Sequence, residues 1–180
     1  MKIMDKRAIK SKNAIIATFL ALIKTKPVER LTVKELCEKA RINKSTFYAH
    51  YHDLQDLSAQ LEAELVYEIL HSLPRNDLYS LKTSELFAVD LYQALIRYEP
   101  QIELLFPNQK KELLASRLDR AVKTYVWNKY PHLRNRVETE ILLTYQIQGA
   151  YYTFLNSRNE DQTIVQEVIG RIARALHTLY

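Results

Sequence analysis

The chain has 180 residues, 47 % of them hydrophobic and 26 % charged, a formal net charge of +5, and only two glycines, Gly149 and Gly170. Tight hairpins and phosphate-cradling loops use glycine for positive φ, so this composition points to an all-α protein and away from chemistry on Gly-rich loops. The lone Cys37 excludes an intramolecular disulfide, the charged start from Met1 to Lys12 is unlike a signal peptide, and no apolar run approaches the ~18 residues of a membrane span, so a cytoplasmic protein with no membrane partner is expected.

Five prolines, at positions 27, 74, 100, 107 and 131, divide the sequence, and proline rarely sits inside a helix. The first helix is expected from Asp5 to Lys24, with Ile9, Ile16, Phe19, Leu20 and Ile23 on its apolar face. Lys6, Arg7, Lys10 and Lys12 crowd its start, where cations oppose the helix dipole and an external anion would relieve them.

A second helix starts at a capping box, Thr32-Val33-Lys34-Glu35, with Thr32 as N-cap and Glu35 reaching back. Leu36, Cys37 and Ala40 then face inward. After a short break, Asn43 is a good N-cap for a third helix over 44–51. Phe47 and Tyr51 pack inward there, leaving Lys44, Ser45, Tyr48 and His50 outward.

Asp53 caps a fourth helix, whose Leu54, Leu57, Leu61, Leu65 and Ile69 repeat at three- and four-residue steps as far as about Ser72. A polar stretch follows, from Pro74 to Ser80. Further helices are expected over 84–98, 101–106, 109–129, 134–157 and 161–178. In the last two, Ile141, Tyr145, Gly149 and Tyr152 form one stripe, and Val165, Val168, Ile172, Leu176 and Leu179 another. These faces either close the chain's own core or pair with a second copy as a four-helix homodimer interface.

Charge is unevenly spread. Residues 1–53 hold 12 Lys or Arg against 5 Asp or Glu, a net +7, while residues 54–180 hold 14 against 16, a net −2. A basic head on a mildly acidic body points to a polyanion partner for the head. A helix fits the DNA major groove, so Lys44 is suited to a guanine edge or a phosphate, and Thr46, Tyr48 and His50 to phosphate oxygens. Thr32 and Lys34 open the preceding helix, which would lie along the backbone.

The stretch from Leu31 to Leu57, and above all Thr46-Phe47-Tyr48-Ala49-His50-Tyr51, resembles the TetR family of transcriptional regulators. The resemblance covers most of the first 55 residues; beyond them only the helical layout is similar. It implies a helix-turn-helix DNA-binding domain over 1–53 and a helical dimerisation and ligand-binding domain over 54–180. It assigns DNA contacts to Thr32, Lys34, Asn43, Lys44, Ser45, Thr46, Tyr48 and His50, with Phe47 in the core. Arg41 stands where the family has Gly in the turn, Ser45 where many members have Gly, and Leu54 where many have Lys, which removes one phosphate contact. The implied partners are a double-stranded DNA operator, a second copy of the chain and a small-molecule effector. For the effector, Tyr67, Phe87, Tyr92, Phe106, Tyr125, Trp127 and Tyr145 would line a pocket, or else simply fill the core. Action through a protein partner is the alternative. No cofactor, metal site or catalytic group is expected: His50 and His52 are spaced two apart and point apart on a helix.

Overall fold

The structure is a computed structural model that describes residues 6–74, 84–134 and 136–177. The expected helix start at Asp5, most of the polar stretch after Pro74, and Leu179 lie outside the described residues. Among the described residues there is no strand. Within these residues nine α-helices follow one another: α1 (Lys6–Ile23), α2 (Val33–Ala40), α3 (Lys44–Tyr48), α4 (Leu54–His71), α5 (Ser84–Arg97), α6 (Glu99–Leu105), α7 (Lys111–Lys129), α8 (Val137–Ser157) and α9 (Gln162–His177). Single 3-10 turns at Val28–Arg30, Asn108–Lys110 and Pro131–Leu133 start at or beside a proline. Among the described residues, no helix is long and apolar enough to cross a membrane.

The chain divides into two compact units, residues 1–63 and 64–180, with the division inside α4. In the first unit α1 packs on α2, and α2 on α3. Its core is Ile15, Phe19, Leu22, Leu31, Leu36, Cys37, Phe47, Tyr51, Leu54, Leu57 and Leu61, all buried. The α1 stripe therefore runs 15–19–22, steps of four and three. Of the five residues expected on this face only Phe19 is fully buried; Ile9 is exposed, and Ile16, Leu20 and Ile23 are half-buried. The reason is the paired apolar positions 15/16, 19/20 and 22/23, which leave the stripe's rotation open until a partner helix chooses.

In the second unit α5 packs against both α8 and α9, and α7 against α8. Leu91, Tyr92 and Leu95 of α5, Leu118 and Val122 of α7, and Ile147, Tyr151 and Phe154 of α8 supply fully buried side chains. Two tyrosines there keep a hydrogen-bond partner for the hydroxyl, as buried phenols do. Tyr92 donates to Gln162 Oε1 at 2.7 Å and Tyr151 to the Lys111 carbonyl at 2.7 Å. Burial pushes the Tyr151 phenol up to about 12. Arg158 pairs with Glu99 at 2.9 Å and with Glu103, joining the end of α8 to α6.

Candidate nucleic-acid interface

Three short pieces of chain chemistry build the exposed face around α3. The first is the N-cap of α2. Thr32 Oγ1 accepts from the Glu35 amide at 3.2 Å, so half of the expected capping box forms. The returning half does not: the Glu35 carboxylate lies 2.5 Å from Lys26 Nζ and 3.7 Å from Lys39 Nζ. The Lys26 ammonium beside Glu35 holds its carboxyl below the ordinary range. A tertiary ion pair thus outcompetes the local contact, tying the start of the 26–30 connection to α2. A two-way variant occurs at α4, where Asp53 Oδ1 accepts from the Asp56 amide at 2.7 Å and Asp56 Oδ2 from the amide of His52, one residue before the cap, at 2.9 Å.

The second piece is the turn between α2 and α3. Arg41 adopts φ 55° and ψ 45°, the left-handed conformation that closes a helix C-terminus, and is the one non-Gly residue with positive φ among the described residues. The Ile42 amide donates to the Cys37 carbonyl at 3.0 Å, completing the end of α2. Side-chain Cβ crowding makes this conformation cost about 1 kcal/mol for a non-Gly residue.

The third piece is α3 itself. It has five residues, shorter than the 44–51 expected, and buries one of them, Phe47, at 0 % exposure. The chain leaves the helix at Ala49, so that Tyr51, 3 % exposed, packs by the Phe47 ring with centroids 5.9 Å apart. Asn43 Oδ1 accepts from the Thr46 amide at 2.8 Å, from the Thr46 hydroxyl at 2.6 Å and from the Ser45 hydroxyl at 2.8 Å. Both hydroxyl protons are therefore held within the protein, and a DNA contact from Ser45 or Thr46 has to displace them or use the oxygen lone pairs.

Lys44 is exposed and Tyr48 is 55 % exposed. Thr32 and Lys34 are exposed on α2, where Lys34 lies 3.9 Å from Glu38. His50 is half-buried, with Nε2 2.8 Å from Ser11 Oγ of α1. Ser11 already donates its only proton to the Ala8 carbonyl at 3.0 Å, so the consistent arrangement has His50 Nε2–H donating to Ser11. Ser11 is a positioning contact that the sequence reading missed, because the two residues lie 39 positions apart. Between α1 and α3 runs an open groove of about 720 Å³ lined by Arg7, Ser11, Arg41, Asn43, Thr46 and His50, among others, with no carboxylate in its wall. Leu54, at 4 % exposure, belongs to the core.

The aromatic residues expected around an effector are not gathered into one lining. Tyr92 and Phe106 are buried, and Phe87 and Trp127 are half-buried. Tyr67, Tyr125 and Tyr145 are exposed. Tyr67 stacks on His71 at 3.6 Å on the surface of α4, and Tyr145 lies on the outer face of α8. Trp127 lines a polar depression of about 460 Å³ with Asp119, Lys123 and Gln148. There Lys123 bridges Asp119 at 2.9 Å and Glu140 at 2.6 Å. Burial works against the Lys123 charge, and the two carboxylates outweigh it, so its pKa stands above the ordinary lysine value.

Of the residues expected to meet a second copy, Ile141, Tyr145, Gly149 and Tyr152 are exposed along α8, as are Val168 and Ile172 on α9. Leu176 is half-buried. Val165 is not on this face: with Ile169 and Ala173 it is buried in the chain's own core, and Ile164, 60 % exposed, takes its place outside. The doubled apolar positions 164/165, 168/169 and 172/173 give α9 two apolar faces, so the sequence alone did not assign Val165. Gly149 has open space beyond its Cα, whereas Gly170 is buried against Val89 of α5.

No protein-family model matches the chain, and no curated protein matches it.

Proposed function

We propose that this chain is a TetR-like transcriptional regulator, with α2 and α3 as a helix-turn-helix that reads a DNA major groove. One observation carries the reading. In the unit with the basic head, α3 is anchored by Phe47 and capped by Asn43, and it presents Lys44 and Tyr48 to solvent. A short helix held this way, with a cation and a hydrogen-bonding aromatic outward, suits base edges and flanking phosphates.

The protein then acts as a homodimer on a palindromic operator. The outer faces of α8 and α9, carrying Ile141, Tyr145 and Tyr152 and Ile164, Val168 and Ile172, supply a self-complementary apolar surface. Half-sites should be centred about 34–36 Å apart or somewhat more. A small-molecule effector would act by favouring one spacing of the two reading helices. Of the seven aromatics expected to line its pocket, Tyr67, Tyr125 and Tyr145 face solvent.

Selection of bound duplexes from a random pool tests the proposal by returning a half-site and a spacing. The Lys44→Ala/Tyr48→Ala double variant should then lose binding to the selected duplex while keeping the oligomeric state of the wild type. Unchanged affinity in an anisotropy titration refutes the assignment of α3.

A further inference from the structure

The geometry points to Arg41 as a DNA-phosphate contact at the flank of the reading helix, reached from the turn and not from the helix itself. The inference rests on the DNA-binding reading above.

Three observations converge. The left-handed backbone at Arg41 is required by the end of α2, since the Arg41 and Ile42 amides both bond to its last carbonyls. Glycine adopts that conformation without strain, and arginine does not, so the residue is not there for the backbone. Its guanidinium, on an exposed residue, has no hydrogen bond, ion pair or ring partner among the described residues, so no internal contact offsets the strain. Finally, Arg41 lines the groove between α1 and α3 together with Arg7, and the wall of that groove contains no acidic side chain.

The groove's lining includes no carboxylate, so an anion bound there meets the Arg41 guanidinium without a competing acidic group. The groove is bordered by Asn43, Thr46 and His50, so a phosphate held there would lie beside the bases that α3 reads. Arginine also suits the task geometrically, because its planar fork binds phosphate oxygens in pairs.

The test is a salt titration of the full chain on its selected duplex, with Arg41→Gly and Arg41→Lys beside the wild type. One lost phosphate contact makes the log–log salt slope shallower by about 0.9. The wild-type advantage over Arg41→Gly should therefore shrink about 3.5-fold between 50 mM and 200 mM salt. The thermal midpoint of Arg41→Gly should not fall, and should rise by up to roughly 4 °C as strain is released. Arg41→Lys should recover the slope, because a charge remains. An unchanged slope in Arg41→Gly overturns the assignment of Arg41 alone, as does a loss of binding that follows a lowered midpoint. A wild-type chain that selects no duplex overturns the DNA-binding reading and this inference with it.

Discussion

The side-chain oxygen of Asn43, Oδ1, is the most informative atom to remove. It accepts three hydrogen bonds at the start of a five-residue helix. A helix this short has no stability of its own, since isolated helices below about 12–15 residues are marginal in water. Only the cap and the Phe47 side chain hold α3. Asn43→Ala removes the cap, which costs about 1 kcal/mol and up to about 2 in the most dependent helices. The freed Ser45 hydroxyl is exposed and turns to water, as does that of half-buried Thr46, so little desolvation cost is added. Local opening of α3 should become about 5–30-fold more frequent, read as faster amide hydrogen exchange at Thr46 and Phe47. Asn43→Asp keeps an acceptor at the cap and should retain wild-type exchange. On DNA the two variants part company. Asn43→Ala should weaken binding only by the fall in the fraction of molecules with α3 formed, a smaller factor than the change in exchange. Asn43→Asp should weaken it further at low salt, because a carboxylate then faces the phosphates. Wild-type exchange at Thr46 in the Ala variant, or Ala-like exchange in the Asp variant, would show that the cap does not hold the helix.

Other consequences can be checked separately. Because Lys26 lowers the Glu35 pKa, the pair's contribution is present above the ordinary value of 4.5 and is lost as pH falls through the lowered one. Urea midpoints should therefore drop on acidification more steeply in the wild type than in Glu35→Gln; parallel curves would count against the ion pair. Cys37 is 4 % exposed and burial raises its thiol pKa, so a thiol-alkylating reagent should modify it only as the first unit opens. Leu36→Ala should speed that labelling, and rapid labelling of the native wild type would contradict the packing. Tyr145→Glu with Ile172→Glu places charge on the outer faces of α8 and α9 without touching the core. If the proposed dimer forms through these faces, the expected product is a helical monomer by sedimentation and circular dichroism, and an unchanged sedimentation coefficient would remove these faces from the proposed interface.

Local chemistry made much of this architecture legible. Proline placement and the caps at Thr32, Asn43 and Asp53 located the starts of α2, α3 and α4 to the residue, because N-capping is a contact over three residues. The seam of α4 was equally readable, since its Leu and Ile residues fall on a single face. Where two apolar residues stand side by side, as at 15/16 or 164/165, periodicity does not say which one is inside; the neighbouring helix does. Long-range polar contacts were invisible for the same reason. Nothing near Glu35 in sequence announces Lys26 as a stronger partner than the Thr32 amide, and nothing in the Tyr-Ala-His run announces Ser11. Counting aromatics does not locate them, because Tyr67 and Tyr145 sit on exposed helix faces while Tyr92 and Phe106 are buried.

The economy of α3 has a further consequence. With Phe47 its sole buried side chain and Thr46 half-buried, the helix turns Lys44, Ser45 and Tyr48 to the outside. Exposed substitutions at Lys44 and Tyr48 should alter stability by no more than about 0.5 kcal/mol. On the proposed DNA-binding role, recognition and folding are thus written in different letters of the same short word. A lineage, or a laboratory library randomised at these positions, could acquire a new binding preference while inheriting the scaffold unchanged.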